Sequence, residues 1–184
     1  MRVIAGICRS MPLKTPEGMD TRPTTDRIKE TLFNMLQTKI PGSVFVDFFS
    51  GSGGIGIEAL SRGAKKAYFI ENDKKALFCI KENLQFTKLN NNSMIISGDA
   101  CSAVDRITDT ADIIFMDPPY ASGLDVAVLS LLKNASCVSE DTLIIIESSL
   151  ERDVQEFIDC GFEVQKEKKY KTNKHVFLYK QISN

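Results

Sequence analysis

The sequence predicts an α/β domain with a mostly parallel, seven-stranded sheet, a C-terminal antiparallel hairpin and an N-terminal β-hairpin arm. Two observations predict it. From Val44 onward, short all-apolar runs alternate with amphipathic stretches of helical period, as in a parallel sheet covered on both faces. Near the end, two extended runs flank Lys171-Thr172-Asn173, a turn signal of the kind that joins antiparallel strands.

Residues 1 to 24 are broken by Gly6, Pro12, Pro16, Gly18 and Pro23 and read as a hairpin-like arm, too small to fold alone; residues 25 to 184 form the main domain. A helix starts near Asp26 with Thr24 or Thr25 as N-cap. Ile28, Leu32, Met35 and Leu36 share one of its faces, and Pro41-Gly42 ends it. Strands are expected at about 44–49, 67–71, 93–97, 112–116 and 142–147, with helices beginning near Gly53, Asp73, Ala100, Gly123 and Glu151. The runs Phe162 to Lys169 and His175 to Gln181 close one edge of the sheet.

With 184 residues and 43% apolar composition, the chain suits one domain with a real core. Its 23 basic and 24 acidic residues leave a net charge of -1, so no global field draws it to nucleic acid and any such contact is local. Two local clusters exist: Arg2, Arg9, Lys14, Arg22, Arg27 and Lys29 near the start, and Lys166, Lys168, Lys169, Lys171 and Lys174 in the terminal hairpin. Lysine-rich turns are usually only solvated, so the first cluster is the better candidate. The five cysteines are scattered, never spaced as C-x-x-C, and fit reduced thiols rather than a metal ligand set. His175 reads as an ordinary strand residue. The N-terminus lacks a signal-peptide core and no apolar run reaches membrane length, so a cytoplasmic protein without metal or membrane contact is expected.

The chemistry concentrates at strand ends. Val44 to Phe49 runs into Ser50-Gly51-Ser52-Gly53-Gly54-Ile55-Gly56, in which Gly51, Gly53 and Gly56 satisfy G-x-G-x-x-G. Such a loop lets a ligand approach the backbone at a helix N-terminus, and Glu71, at the next strand end, is placed to accept from ribose hydroxyls. That much suits a nicotinamide dinucleotide and S-adenosylmethionine equally. Asp47 favours the second, since its charge repels a pyrophosphate and welcomes an ammonium. Asp99 and the Ala100 N–H close the third strand, where they can meet an adenine, although an Asp after a strand is also a common N-cap.

Asp117-Pro118-Pro119-Tyr120 follows the apolar run Ile113 to Met116. Successive prolines freeze the backbone there. The Asp117 carboxylate and Pro118 carbonyl can then each take a proton of a planar base NH₂ and steer its lone pair toward an electrophilic methyl, with Tyr120 stacked on the base. Guanine and adenine amines would both serve, so an adenine-N6 DNA methyltransferase stays open, as does, in another class, a nicotinamide oxidoreductase.

Together, the run Thr21 to Glu30 (TRPTTDRIKE), Asp47 to Gly53 (DFFSGSG), Glu58 to Ala64 (EALSRGA) and Asp117 to Tyr120 resemble the RsmD family of 16S rRNA guanine-N2 methyltransferases over nearly the whole chain. The R-P-T-T-D-R run is the specific part. Ser50 and Gly54 stand where that family usually has alanine, changes small enough to leave the loop intact. The resemblance implies a Rossmann-like methyltransferase fold, S-adenosyl-L-methionine as donor, and as substrate one guanine of 16S rRNA in a partly assembled small subunit; separately, a monomer is expected. On that reading Arg9, Arg22, Thr24, Thr25 and Arg27 contact the RNA while a base is extruded toward Tyr120.

Overall fold

Five apolar runs rich in Val, Ile and Phe become the parallel strands, and each is followed by a helix or helical turn that returns the chain along a sheet face. The computed structural model describes residues 1–16, 26–120 and 122–181. In chain order the elements are α1 (Asp26–Met35), β1 (Val44–Phe48), α2 (Gly54–Ser61), β2 (Lys66–Glu71), α3 (Lys74–Thr87), β3 (Ser93–Ser97), α4 (Ala100–Ala103), β4 (Ala111–Met116), α5 (Leu124–Leu132), β5 (Val138–Ser148), α6 (Gln155–Asp159), β6 (Phe162–Lys169) and β7 (Lys174–Lys180).

These strands form one seven-stranded sheet in the order β3-β2-β1-β4-β5-β7-β6, with β7 antiparallel to both of its neighbours. Because β1 pairs with β2 on one side and β4 on the other, the winding direction reverses there and a crevice opens at the carboxyl ends of the two strands. Side chains alternate between the sheet faces. Phe45, Phe69, Phe115 and Ile145 pack against Leu32, Ile57, Ile80 and Leu84 of α1, α2 and α3, while Val46, Tyr68 and Ile114 pack against Ala103, Val128, Leu132 and Phe157 of α4, α5 and α6.

Element positions agree with the sequence reading apart from three boundaries. β5 starts at Val138, because Val138 pairs with Ala111 and Thr142 Oγ1 donates to the Ala111 carbonyl at 2.7 Å across an irregularity in the ladder. α6 starts at Gln155 rather than Glu151, since the intervening Arg152 is held by Asp125 and Glu156. α1 ends at Met35, before a turn-rich link to β1. The expected N-caps Thr24 and Thr25 lie outside the described residues.

The arm is a hairpin, with Arg2 bridged to Pro12, but it is no detachable appendage. Val3, Cys8 and Leu13 belong to the same buried cluster as α1 and α2. Glu58 of α2, wholly buried, accepts from the Ile4 and Ala5 amides at 2.7 and 3.0 Å and pairs with Lys29 at 3.5 Å and Arg62 at 2.7 Å. The Lys29 ammonium in turn donates to the Arg2 carbonyl at 2.6 Å. Lys29, read from the sequence as part of a surface cluster, is therefore a core cation whose pKa burial lowers.

Candidate active site

The glycine loop is built by carboxylates. Phe49 turns into the left-handed region with φ 60, and Ser50 pins the turn by donating from Oγ to the Asp47 carbonyl at 2.6 Å and from its amide to the Ile70 carbonyl at 3.0 Å. Gly51 and Gly53 follow with φ 54 and 82, conformations that cost glycine nothing. Gly56 serves another purpose: a Cβ there would meet Phe69 Cε1 at 2.4 Å, so its bareness lets α2 lie against β2.

Glu71 Oε2 accepts from the Gly51 amide at 2.8 Å, and its Oε1 accepts from the Asn72 and Asp73 amides, both at 2.9 Å. Asp47 Oδ2 accepts from the Gly56 amide at 2.9 Å, and the Gly53 amide donates to the Ser50 carbonyl at 2.8 Å. The amides of the three motif glycines are thus engaged within the protein, and the carboxylates holding two of them, Asp47 and Glu71, set negative charge beside the loop, where it disfavours a pyrophosphate. Asp47 is only 2% exposed, and burial, aided by the neighbouring Glu71 charge, pushes its carboxyl up to about 7. Asp99 plays the cap role foreseen as its bland alternative: its Oδ1 accepts from the Ser102 amide at 3.1 Å at the start of α4, with Ala100 buried beneath.

Asp117 leaves β4 one residue beyond the last paired residues, Met116 and Ile146. Its carboxyl is pushed up to about 8, first by burial and then by the charges of Glu147 and Asp47. Pro118 is buried, whereas Tyr120, two residues further on, is 56% exposed. The sequence reading missed the partners on the far side. Glu147 ends the run Ile144-Ile145-Ile146 as Asp117 ends its own strand, and it is buried against the hairpin. Its carboxylate accepts from Asn173 Nδ2 and lies 3.1 Å from His175 Nε2, while His175 Nδ1 lies 3.1 Å from the Tyr170 hydroxyl. His175, fully buried and edge-on to Phe115, is therefore the centre of a polar relay beside Asp117. An acidic residue closing a fifth apolar strand was the available signal; its contact with the hairpin depends on the fold.

Asp47, Gly51, Gly53, Glu71, Asp99, Ala100, Asp117, Pro118 and Tyr120 all meet along the carboxyl edge of the sheet. Arg27, in the first turn of α1, lies apart from them, across a cleft from Lys168 to Thr172 at the tip of the β6–β7 hairpin. Arg9 does not join them either: its neighbours Ile7 and Cys8 are bonded to Ser61, at the far end of α2 from the glycine loop. Arg22, Thr24 and Thr25 lie outside the described residues.

Comparison with known proteins gives a consistent picture. Residues 1–180 match the family described as conserved hypothetical protein 95. The ribosomal RNA small subunit methyltransferase D of Escherichia coli (strain K12) is 36% identical over 151 residues, covering 82% of this chain and 76% of its own. The protein of the same name from Haemophilus influenzae is 37% identical over 159 residues, covering 83% and 80%. The solved structure of yhhF from Escherichia coli superposes with a TM-score of 0.83 at 31% identity, over 100% of this chain and 99% of that one.

Proposed function

This chain belongs to the conserved hypothetical protein 95 (RsmD) family, and from that premise we propose that it is an S-adenosylmethionine-dependent methyltransferase acting on a guanine N2 amine of 16S rRNA. The observation that carries the cofactor class is the pair of carboxylates, Glu71 and Asp47, bonded to the Gly51 and Gly56 amides of the glycine loop. What remains at this edge is acidic, with Asp47, Glu71, Asp117 and Glu147 close enough to perturb one another. That set suits a ligand bearing an ammonium and a sulfonium, and disfavours a dinucleotide phosphate.

S-adenosylmethionine supplies, when bound, an electrophilic methyl on a positively charged sulfur. Glu71, already fixed by backbone amides, would take the ribose hydroxyls, and Asp47 would oppose the ammonium through its charge. Asp99 and the Ala100 N–H would meet the adenine. Asp117 and the Pro118 carbonyl would accept the two amine protons of the target base, turning its nitrogen lone pair toward the methyl. As the nitrogen gains its bond to carbon it must shed a proton. Asp117, in the ionised fraction that grows as the pH nears 8, is placed to receive it. Tyr120 would stack on the base, and Arg22, Thr24, Thr25 and Arg27 would hold the flanking RNA. The protein's own contribution is alignment and electrostatics.

The test is tritiated methyl transfer to small subunits from a strain lacking this protein, followed by nucleoside analysis. N2-methylguanosine is expected in the rRNA. N6-methyladenine formed instead in adenine-rich DNA would overturn the substrate, and absence of any transfer would overturn the activity.

A further inference from the structure

The basic residues that the sequence scatters over its two ends converge on one cleft. It measures about 490 Å³ and lies between α1, which contributes Arg27, and the tip of the β6–β7 hairpin, which contributes Lys168, Lys169, Tyr170 and Lys171. Among the described residues, the ion pairs use none of these four cations. The neighbouring hairpin lysines are otherwise engaged: Lys174 pairs with Glu167 at 2.8 Å, and Lys166 lies over the Phe177 ring. The cleft thus keeps a concentrated positive charge in a chain whose net charge is -1.

Its position matters as much as its charge. Ser148 pairs with Lys174, so the hairpin tip stands at the carboxyl end of β5, on the edge that carries Asp117. Tyr170 ties the two places together, lining the cleft while its hydroxyl reaches His175, Glu147 and so the neighbourhood of Asp117. Two to three strand spacings of about 4.8 Å separate β4 from the hairpin, roughly 10–15 Å. A polyanion with its reacting unit at Asp117 would lay its neighbouring charges there. Lysines on flexible stems suit phosphates held as point charges, a contact that positions a strand without reading its sequence.

We propose that the cleft between α1 and the β6–β7 tip binds the phosphate backbone of the RNA strand flanking the target guanine. The proposal rests on the RNA-methyltransferase reading above and locates part of the RNA contact on the hairpin, which sequence alone ranked second.

The experiment measures binding of a fluorescent single-stranded 16S rRNA fragment, over a salt series, by a charge-reversed cleft variant (Lys168→Glu, Lys169→Glu, Lys171→Glu). A control variant (Lys39→Glu, Lys65→Glu, Lys88→Glu) carries the same charge change at exposed positions on the opposite edge of the sheet. The cleft variant should lose about tenfold or more in affinity at low salt, and the slope of log affinity against log salt should fall by about 2, at about 0.7 for each phosphate released. The control should stay within about twofold of wild type, and both should bind S-adenosylhomocysteine unchanged. If the reversals prevent folding, the Lys→Gln triple variant gives the same slope test. Equal RNA binding by cleft and control variants overturns the proposal. So does a cleft variant that loses affinity only for anionic phospholipid vesicles. Should the wild type transfer no methyl to rRNA while the cleft variant still loses RNA affinity, the cleft stands and the methyltransferase reading falls.

Discussion

At the residue scale, Asp117 shows how a site can work against the fold that holds it. A carboxyl raised from 3.8 to about 8 binds more protons folded than unfolded across that interval. Its contribution to stability is therefore full below about pH 4 and is lost as the pH climbs toward 8. Asp117→Asn removes this loss, so its melting temperature should gain on wild type progressively between pH 4 and 8. Asp47, raised by burial too, loses a neighbouring charge in the variant, so its own change acts in the same direction. Thermal melts over that range check the idea, and a pH-independent difference would remove the burial argument. Activity should move the other way. Asparagine can still accept one amine proton through its oxygen but cannot take a proton away, so it should retain a fraction of turnover with a flattened pH profile, whereas Asp117→Ala should retain none. Glu71→Ala should weaken S-adenosylhomocysteine by about 1.5–3 kcal/mol, the usual loss for a charged hydrogen bond. Because Glu71 also accepts from the Gly51, Asn72 and Asp73 amides, the variant should melt lower even without ligand. Calorimetry showing unchanged affinity would remove Glu71 from the cofactor site.

The N-terminal arm illustrates the scale of elements, where local pattern and long-range packing part company. Its Gly and Pro punctuation marks a hairpin, and that much was legible in the sequence. Nothing local reveals that Ile4 and Ala5 donate to a buried Glu58, or that Lys29 turns inward to the Arg2 carbonyl. Lysine on a short helix reads as solvated because it almost always is. The same limit hid the Glu147–His175–Tyr170 relay, whose members stand on β5, on β7 and in the turn before β7. By contrast, Asp47, Glu71 and Asp117 were legible because strand ends of a parallel sheet share one edge by construction, so the motif order alone brings them together. Deleting residues 1–13 should accordingly do more than remove an RNA contact. It strips the Glu58 carboxylate of two amide donors and uncovers Val3 and Leu13, losses of about 3–5 kcal/mol for a broken buried network and about 1.5–3 kcal/mol for each apolar side chain. Against a typical stability of about 5–15 kcal/mol, the truncated chain should melt far below the intact one or fail to fold. A circular-dichroism melt unchanged by the deletion would show the arm to be separable after all.

For the whole molecule, the balance of charge sets what kind of RNA it can use. Non-specific RNA affinity comes from releasing counterions, and it scales with the number of phosphates neutralised. Here the basic groups near the start of the chain are partly matched by acids: Lys29 is buried against Glu58, while Arg2 and Lys14 stand exposed beside Asp26 and Glu82, whose charges offset theirs at the surface. What is left is a cleft at one edge and a crevice lined with carboxylates. A surface of that kind gains little from wrapping flexible RNA, and its acidic crevice repels phosphates unless the target base is already turned toward it. A substrate whose RNA is folded and whose target loop is held open by ribosomal proteins avoids both costs, since sequence-specific recognition of RNA favours splayed, single-stranded bases. The enzyme should therefore methylate assembled small subunits faster than naked 16S rRNA, and the gap should widen as salt rises from 50 to 200 mM, since the weak phosphate attraction that serves naked RNA is screened first. Initial rates on naked rRNA and reconstituted particles at the two salt concentrations decide the point. Equal rates on both substrates would mean that the protein reads RNA with contacts beyond the cleft and crevice described above.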